Sequence, residues 1–212
     1  MNYDTMSAML GRRLEDEDSS KFPMLNRIDA VNNAMLRLVN LLDNDQLEEL
    51  RTMQTVAPTV GVYALGSLTT DLVRNGVQKV YSVTDSKWLH LVDPMDLEKT
   101  GNLYLTPSAD YGITYIYGTN LTVLPAASGT SITIWYLKQP TPYTTVSTSR
   151  DDECPLNPAL HPLVVDLAEA ELWKQDGKGE KAIEVLKIAN KEIQTLNERA
   201  VAERKETVGK TQ

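Results

Sequence analysis

Few residues in this sequence have the type and spacing that acid–base or metal chemistry requires. The two histidines, His90 and His161, are far apart in the sequence, and neither has a second histidine or a cysteine at the spacing of metal ligands. We expect His161 to be a helix-start residue that bonds to the nearby backbone, and His90 to be a strand residue. Neither is predicted to act in catalysis or to bind a metal.

The single cysteine is also a poor candidate for a nucleophile. Cys154 lies in the acidic stretch RDDECP, where neighbouring carboxylates disfavour the thiolate, so we expect a structural role. One cysteine excludes an internal disulfide framework and fits a reducing compartment.

Two charged stretches resemble ligand-binding motifs only superficially. The cluster EDED at 15–18 lacks the glycine and the alternating ligands of a calcium loop, so we expect a solvated helix end. GKGEK at 177–181 lacks the remaining positions of a phosphate-binding loop and is predicted to be a turn. We therefore expect a protein that is not an enzyme and that uses no cofactor or metal.

Composition excludes several further classes of protein. The chain has 212 residues and a net charge of −8, whereas dedicated nucleic-acid binders usually carry a basic patch. No apolar run approaches the roughly 18 residues of a spanning helix, so no membrane association is expected. The first residues, MNYDTMSAMLGRRLEDEDSS, lack the basic and apolar segments of a signal peptide.

Helices are predicted over residues 1–50. After Pro23, apolar residues recur with a period near 3.6, which indicates a helix with one buried face, whereas Arg27 lies off this stripe. The stripe consists of Ile28, Val31, Met35, Leu38, Val39 and Leu42.

A β-rich module is predicted over residues 51–150. RNG at 74–76 is a turn signal, and VQKVYSV at 77–83 alternates as a strand does. ITYIY and LTVL are joined by a hairpin-length link at 118–120, and SITIWYL follows another turn. In the last strand Ile132, Ile134 and Tyr136 should face one side and Trp135 the other. The aromatic residues are predicted to pack across strands and are candidate contact residues of the module: Tyr115, Tyr117, Trp135 and Tyr136.

A helical hairpin is predicted over residues 151–206. Both Asn157-Pro158 and His161-Pro162 could begin its first helix, which is apolar on most sides and should be buried. After QDGKGE at 175–180, small and apolar residues recur at heptad spacing, which predicts a helix–helix seam. The seam residues are Ala182, Leu186, Ala189, Ile193, Leu196 and Ala200. Residues 207–212 are predicted to be a flexible tail.

Taken together, these elements predict an α+β fold in which helices from both chain ends form a bundle around an inserted antiparallel β-module. The order of elements resembles that of the head–tail adaptor, or connector, proteins of tailed bacteriophages. Two stretches carry the resemblance: ITYIYGTNLTVLPAASGTSITIWYLKQP at 113–140 and CPLNPALHPLVVDLAEAEL at 154–172, followed by a break and a long helix.

The resemblance implies a structural virion protein at the head–tail junction. It implies a ring, expected to be dodecameric, that joins the portal protein to a tail or nozzle protein and leaves a path for DNA ejection. Genomic DNA would pass without specific binding, in keeping with the acidic net charge. The basic residues near the C-terminus are a candidate portal-docking tail: Arg199, Arg204 and Lys205.

Three alternatives remain open on the sequence. The chain could be another tail component, such as a tail-completion or tube protein. It could be a non-viral helical binding module, although no repeat of about 34 residues is visible. It could also be an enzyme whose site is not recognisable from residue spacing.

Overall fold

Helices occupy both ends of the chain and strands occupy its middle, in a computed structural model that describes residues 1–99, 112–125 and 131–209. The side chains of residues 74, 75, 97–99 and 205–209 lie outside that description. The α-helices are α1 (Tyr3–Arg13), α2 (Met24–Leu41), α3 (Pro94–Lys99), α4 (Ser147–Asp151), α5 (His161–Gln175) and α6 (Gly179–Gly209). The strands are β1 (Arg51–Val56), β2 (Val62–Ala64), β3 (Leu72–Ser82), β4 (Lys87–Leu91), β5 (Ile113–Tyr117), β6 (Asn120–Leu124) and β7 (Ile132–Lys138). This mixture of helices and strands confirms the α+β class.

The chain divides into two compact units. Met1–Leu50 and Pro140–Gln212 form the helical unit, and Arg51–Gln139 forms the strand unit. Residues 140–150, which the sequence assigned to the β-rich module, belong to the helical unit. Their attachment is visible at Tyr143, whose backbone N–H donates to Asn32 Oδ1 at 2.8 Å while Asn32 Nδ2 donates to the Tyr143 carbonyl at 2.9 Å.

The helical unit is built around α5. Both proposed starts of this helix are used: Asn157 caps a short 3₁₀ turn over Pro158–Leu160, and α5 begins directly after it at His161. α5 packs against α1, α2 and α6, which explains why it is apolar on several sides. Its buried side chains are His161, Leu163, Val164, Val165, Leu167, Ala168, Ala170, Leu172 and Trp173.

α6 is the longest helix of the described chain. Its 31 residues correspond to about 46 Å, roughly twice the length of the 15-residue α5 that it packs against. Its second half is tied to the end of α2, because Asn197 Nδ2 donates to the Leu41 carbonyl and Asn197 Oδ1 accepts from the Asp43 N–H, both at 2.9 Å. Residues 207–209, predicted as flexible, continue this helix, and residues 210–212 lie outside the described part.

The strand unit contains a seven-stranded sheet in the order β1-β7-β3-β4-β5-β6-β2. All neighbouring strands are antiparallel except β4 and β5, which are parallel. The prediction of a purely antiparallel module is therefore wrong at this pair, where the chain crosses over through α3 before it returns as β5.

One hydrophobic core lies inside this sheet and collects side chains from strands that are far apart in its order. As predicted, Ile132, Ile134 and Tyr136 face this core, and the β5–β6 hairpin forms at residues 118–119. The core consists of Val56, Leu65, Val77, Val80, Leu89, Leu121, Val123, Ile132, Ile134 and Tyr136. Since β1, β7, β3, β4 and β6 all contribute, the sheet wraps around a common centre.

The turn predicted at RNG is wrong. Residues 74–76 lie inside β3, where the pairing with β7 shifts register on either side of Val77. A Cβ at Gly76 would lie 2.7 Å from the Val73 carbonyl oxygen and 3.0 Å from that of Leu137, so only glycine fits there without a shift. The glycine thus serves the close approach of two backbones at a β-bulge.

Candidate assembly surfaces

The two histidines lie in different units of the chain. His90 lies on β4 in the strand unit, as predicted, whereas His161 and Cys154 belong to the helical unit. His161 is buried, and its Nε2 donates to the Leu156 carbonyl at 2.8 Å, which confirms a helix-start residue that bonds to local backbone. Its Nδ1 lies 2.8 Å from the Met1 nitrogen, and burial lowers the pKa of the ring.

Cys154 is buried, and burial does not favour a thiolate. Its side chain is buried, with Sγ at 3.8 Å from the Met35 sulfur. Desolvation by burial raises the pKa of the thiol. Within the described residues, no group of three or more His, Cys, Asp or Glu side chains could hold a metal ion.

A buried ion pair fixes the segment between α1 and α2. Asp16 and Arg27 are each 3% exposed, and Arg27 Nη2 lies 2.9 Å from Asp16 Oδ2. The prediction of a solvated helix end is therefore wrong for Asp16, because the chain turns its carboxylate inward to accept the backbone N–H groups of Lys21 and Phe22, each at 2.9 Å. Burial alone would raise the pKa of Asp16, but these bonds and the Arg27 guanidinium outweigh burial and lower it to about 2.

Arg27 connects three segments through its guanidinium. Nε donates to the Phe22 carbonyl at 3.1 Å, Nη1 donates to the Ser7 carbonyl of α1 at 3.2 Å, and Nη2 donates to the Asp16 carbonyl. Arg27 is off the apolar stripe of α2, yet it is buried, which the sequence pattern did not indicate. Its role is to position α1 and the 14–23 segment against α2.

The predicted seam of α6 lies mainly inside the helical unit. Ala182, Ala189, Ile193 and Ala200 are buried, whereas Leu186 and Leu196 are half-buried. α6 packs against α5, as a helical hairpin requires. Its use as an interface with another chain stays a prediction.

The candidate portal-docking tail is partly engaged within the chain. Arg204 contacts Asp43 through Nη2 and Asp45 through Nε, so its guanidinium already has two partners within the chain. Arg199 is exposed on α6. Lys205 belongs to the helical backbone, and its side chain lies outside the described part.

The four candidate aromatic residues of the strand unit divide between the two faces of the sheet. Tyr136 is 1% exposed, because it points into the core and its hydroxyl lies 2.8 Å from Thr70 Oγ1; its prediction as a surface contact is wrong. Tyr115 and Trp135 are half-buried on the outer face, and Tyr117 is 75% exposed. Successive side chains of a strand point to opposite faces of the sheet, which places Trp135 on the outer face and its neighbour Tyr136 in the core.

An aromatic patch covers the outer face of β1, β7, β3 and β4. We define it as Met53, Tyr81, Trp88 and Trp135. The ring of Trp88 lies 5.2 Å from that of Tyr81 and 5.1 Å from that of Trp135, and Met53 is the cross-strand partner of Trp135. Lys79 Nζ lies 5.9 Å from the Trp88 ring, within cation–π range.

The aromatic patch is exposed in spite of these contacts, since Trp88 is 54% exposed and Met53 is 64% exposed. The alternation in KWLHL could have predicted that Trp88 faces outward, because its neighbour Leu89 faces the core.

A second exposed surface lies at β5, β6 and β2. We define this valine–tyrosine patch as Val60, Val62, Tyr115 and Tyr117. Val62 and Tyr115 are both cross-strand partners of Thr122 on β6, and Tyr63 next to Val62 packs against the core. Val60 precedes β2 and is 67% exposed.

The net charge of the chain lies entirely in the helical unit. The segment Arg51–Gln139 contains six lysines and arginines and six aspartates and glutamates, so it is neutral. The remaining residues contain 15 basic and 23 acidic side chains, which accounts for the whole −8. The two apolar patches thus belong to a neutral unit, and the acidic unit repels other polyanions.

Comparison with known proteins identifies the family. Residues 1–209 match the family described as SU10 adaptor protein. The chain belongs to the SU10 adaptor family. This confirms the resemblance to phage head–tail adaptors, and the match extends well beyond the two motifs at 113–140 and 154–172. No curated protein matches the sequence.

Membership in the adaptor family makes the chain a structural adaptor protein of a bacteriophage and a component of the virion. Among the described residues of this adaptor, none of the helices has the length and apolar character needed to cross a membrane. The surfaces of interest are therefore those through which an adaptor contacts other proteins.

Proposed function

We propose that the protein is a ring-forming adaptor that joins the portal vertex to the tail and forms part of the DNA conduit. The match of residues 1–209 to an adaptor family carries this proposal. Twelve copies per ring are expected by resemblance to head–tail adaptors. The role is structural, without catalysis: the buried, hydrogen-bonded His161 and the buried Cys154 support this, since neither is placed to act on a substrate.

The two units have properties that suit different tasks in such a ring. In this proposal the helical unit acts as a bundle, in which α5 is enclosed by α1, α2 and α6 and α6 provides a long rigid element. The strand unit acts as an inserted module that presents the neutral, apolar patches to neighbouring proteins. The acidic charge of the helical unit keeps passing DNA from adhering, because phosphates are repelled rather than held.

Portal docking is assigned to the C-terminal half of α6. Arg199 is exposed there and available for an acidic partner. Arg204 pairs with Asp43 and Asp45, so a portal contact through Arg204 would have to compete with those two carboxylates. Arg199→Glu should therefore weaken portal binding more directly than Arg204→Glu, which also removes an internal contact.

Coexpression with the portal protein of the same phage tests the proposal. Negative-stain images should show a ring on one end of the portal, and Arg199→Glu should reduce its occupancy. Arg37→Glu, on an exposed position of α2, is the matched control. Failure of the wild-type protein to bind the portal, together with binding to tail tubes, would instead support the tail-component alternative.

A further inference from the structure

The strand unit carries two different exposed apolar patches, and together they specify a partner. We propose that copies of this chain bind head to tail, with the aromatic patch of one copy packed against the valine–tyrosine patch of the next. The inference rests on the proposed ring, and it adds the surfaces that hold neighbouring copies together.

The patches lie on the same side of the sheet and share no strand, although they adjoin at the paired strands β4 and β5. The aromatic patch occupies the first four positions, β1-β7-β3-β4, and the valine–tyrosine patch occupies the last three, β5-β6-β2. The strand residues of both patches alternate with residues of the core, so they lie on the face turned away from it. Since the patches share no residue, one copy can present both at the same time.

The backbone at Val60 provides a separate argument for the valine–tyrosine patch. Val60 has φ of 50°, in the left-handed region that a β-branched side chain rarely adopts. Glycine or asparagine would be less strained in this turn, and the Val60 side chain is 67% exposed, so folding of the isolated chain gains little from it. Packing of this side chain against another molecule explains its presence.

The aromatic patch is similarly under-used within the chain. Trp88 and Met53 are more than half exposed, although tryptophan and methionine are among the residues enriched in the buried parts of protein interfaces. Strand β1, which carries Met53, stands at one end of the strand order and pairs with β7. Strands at the end of a sheet are the ones to which another chain can be added.

Charge favours a second copy as the occupant. Each copy carries −8 in its helical unit, so contacts between two helical units are opposed by repulsion. The strand unit is neutral, and Lys79 brings a positive charge to the aromatic patch, with its Nζ at 5.9 Å from the Trp88 ring. Two copies therefore meet at least electrostatic cost through these two surfaces.

The use of two different patches determines the kind of assembly. A contact in which one patch meets its own copy gives a closed dimer, whereas a contact between different patches continues to a third copy and closes only as a ring. A ring-forming adaptor requires the second kind. The chain supplies both halves of that contact on one sheet.

Single-patch variants of the full chain test this inference. Trp88→Glu disables the aromatic patch and Tyr117→Glu disables the valine–tyrosine patch, while Leu25→Glu changes a 56% exposed leucine of α2 as the control. We expect the wild type and the control to form species larger than a dimer as the concentration rises in sedimentation velocity. Each patch variant alone should be monomeric, with association weakened about 30-fold or more, as for a hot-spot residue.

Mixing the two patch variants gives the decisive result. Each retains the surface that the other lacks, so an equimolar mixture should form dimers and nothing larger. A mixture that stays monomeric, or a Tyr117→Glu variant that still dimerises alone, overturns the head-to-tail contact. A wild type that is monomeric at every concentration also overturns it, without affecting the adaptor role, which portal binding tests separately.

Two milder variants guard against misfolding. Met53→Glu alters the aromatic patch at a position that is 64% exposed. Val60→Asn should raise the melting temperature, because asparagine tolerates a positive φ, and yet weaken association. If Val60→Asn raises stability and leaves association unchanged, the valine–tyrosine patch is not the contact.

Discussion

Removal of the Arg27 guanidinium should destabilise the helical unit strongly. Arg27→Met keeps much of the apolar length of the side chain but leaves Asp16 buried without its cationic partner. Breaking a buried pair in this way typically costs about 3–5 kcal/mol, out of a total stability of about 5–15 kcal/mol. The melting temperature should fall by about 6–20 °C for a chain of this size.

The cost should exceed that of a simple charge removal because Arg27 also donates to three backbone carbonyls, those of Ser7, Asp16 and Phe22. The measurement is urea unfolding followed by far-UV circular dichroism, with the exposed Arg37→Met of the same helix as the control. A second variant, Asp16→Leu combined with Arg27→Met, removes both charges. It should be less destabilised than the sum of the two single variants.

Two results would refute this reasoning. If Arg27→Met unfolds at the same urea concentration as Arg37→Met, the pair does not stabilise the segment. If the double variant shows the full sum of the single costs, Asp16 and Arg27 act independently.

The pH dependence of the same pair has a definite sign. Because the pKa of Asp16 is about 2 in the folded protein and near its usual value of 3.8 when unfolded, the carboxylate stabilises the fold above about pH 4. This contribution should disappear as the pH falls from about 4 to about 2. The difference in unfolding free energy between wild type and Asp16→Asn should therefore be constant at neutral pH and shrink within this window.

Three further outcomes are expected. Leu186→Ala with Ile193→Ala should lower the melting temperature or prevent assembly, since truncation of a buried apolar side chain costs about 2–5 kcal/mol. The half-buried Leu186 should contribute the smaller share of this cost. A melting curve of the double variant within a degree or two of wild type would contradict the packing of the seam. His90, His161 and Cys154 changed singly to alanine should leave portal assembly intact at low temperature, even where stability falls; loss of assembly with an unchanged melting curve would argue against a purely structural role. The isolated protein should not bind duplex DNA in a gel shift at about 150 mM salt. Tight binding that weakens steeply as the salt concentration rises would show that a basic cluster binds the phosphates of the DNA.

Periodicity predicted the parts of the fold in which local pattern and packing agree. The α2 stripe, the alternation of Ile132, Ile134 and Tyr136, and the β5–β6 hairpin all follow from residues that repeat at the spacing of their element. These patterns also located the heptad spacing of α6, of which four residues are buried.

Prediction from the sequence failed where a residue lies in an environment or conformation that its type usually avoids. Asp16 and Arg27 are charged and yet buried, and their partners come from segments that no local pattern connects. The glycine of RNG indicates a turn in isolation, but the neighbouring strand forces a bulge instead. The aromatic patch depends on which strands become neighbours, and Met53, Trp88 and Trp135 meet only after the order β1-β7-β3-β4 is formed.

The pairing of Arg51 with Leu137 has a consequence for how such adaptors can diversify. The chain leaves the helical unit after Leu50 and returns at Pro140, and β1 and β7 run side by side between these points. Paired residues on neighbouring antiparallel strands lie only about 5 Å apart, so the two points at which the chain enters and leaves the strand unit are close together. A short loop could replace it without moving the ends to which it is attached. Recombination between phages can therefore exchange this segment as a cassette, altering what the adaptor contacts while the helices that carry it stay the same.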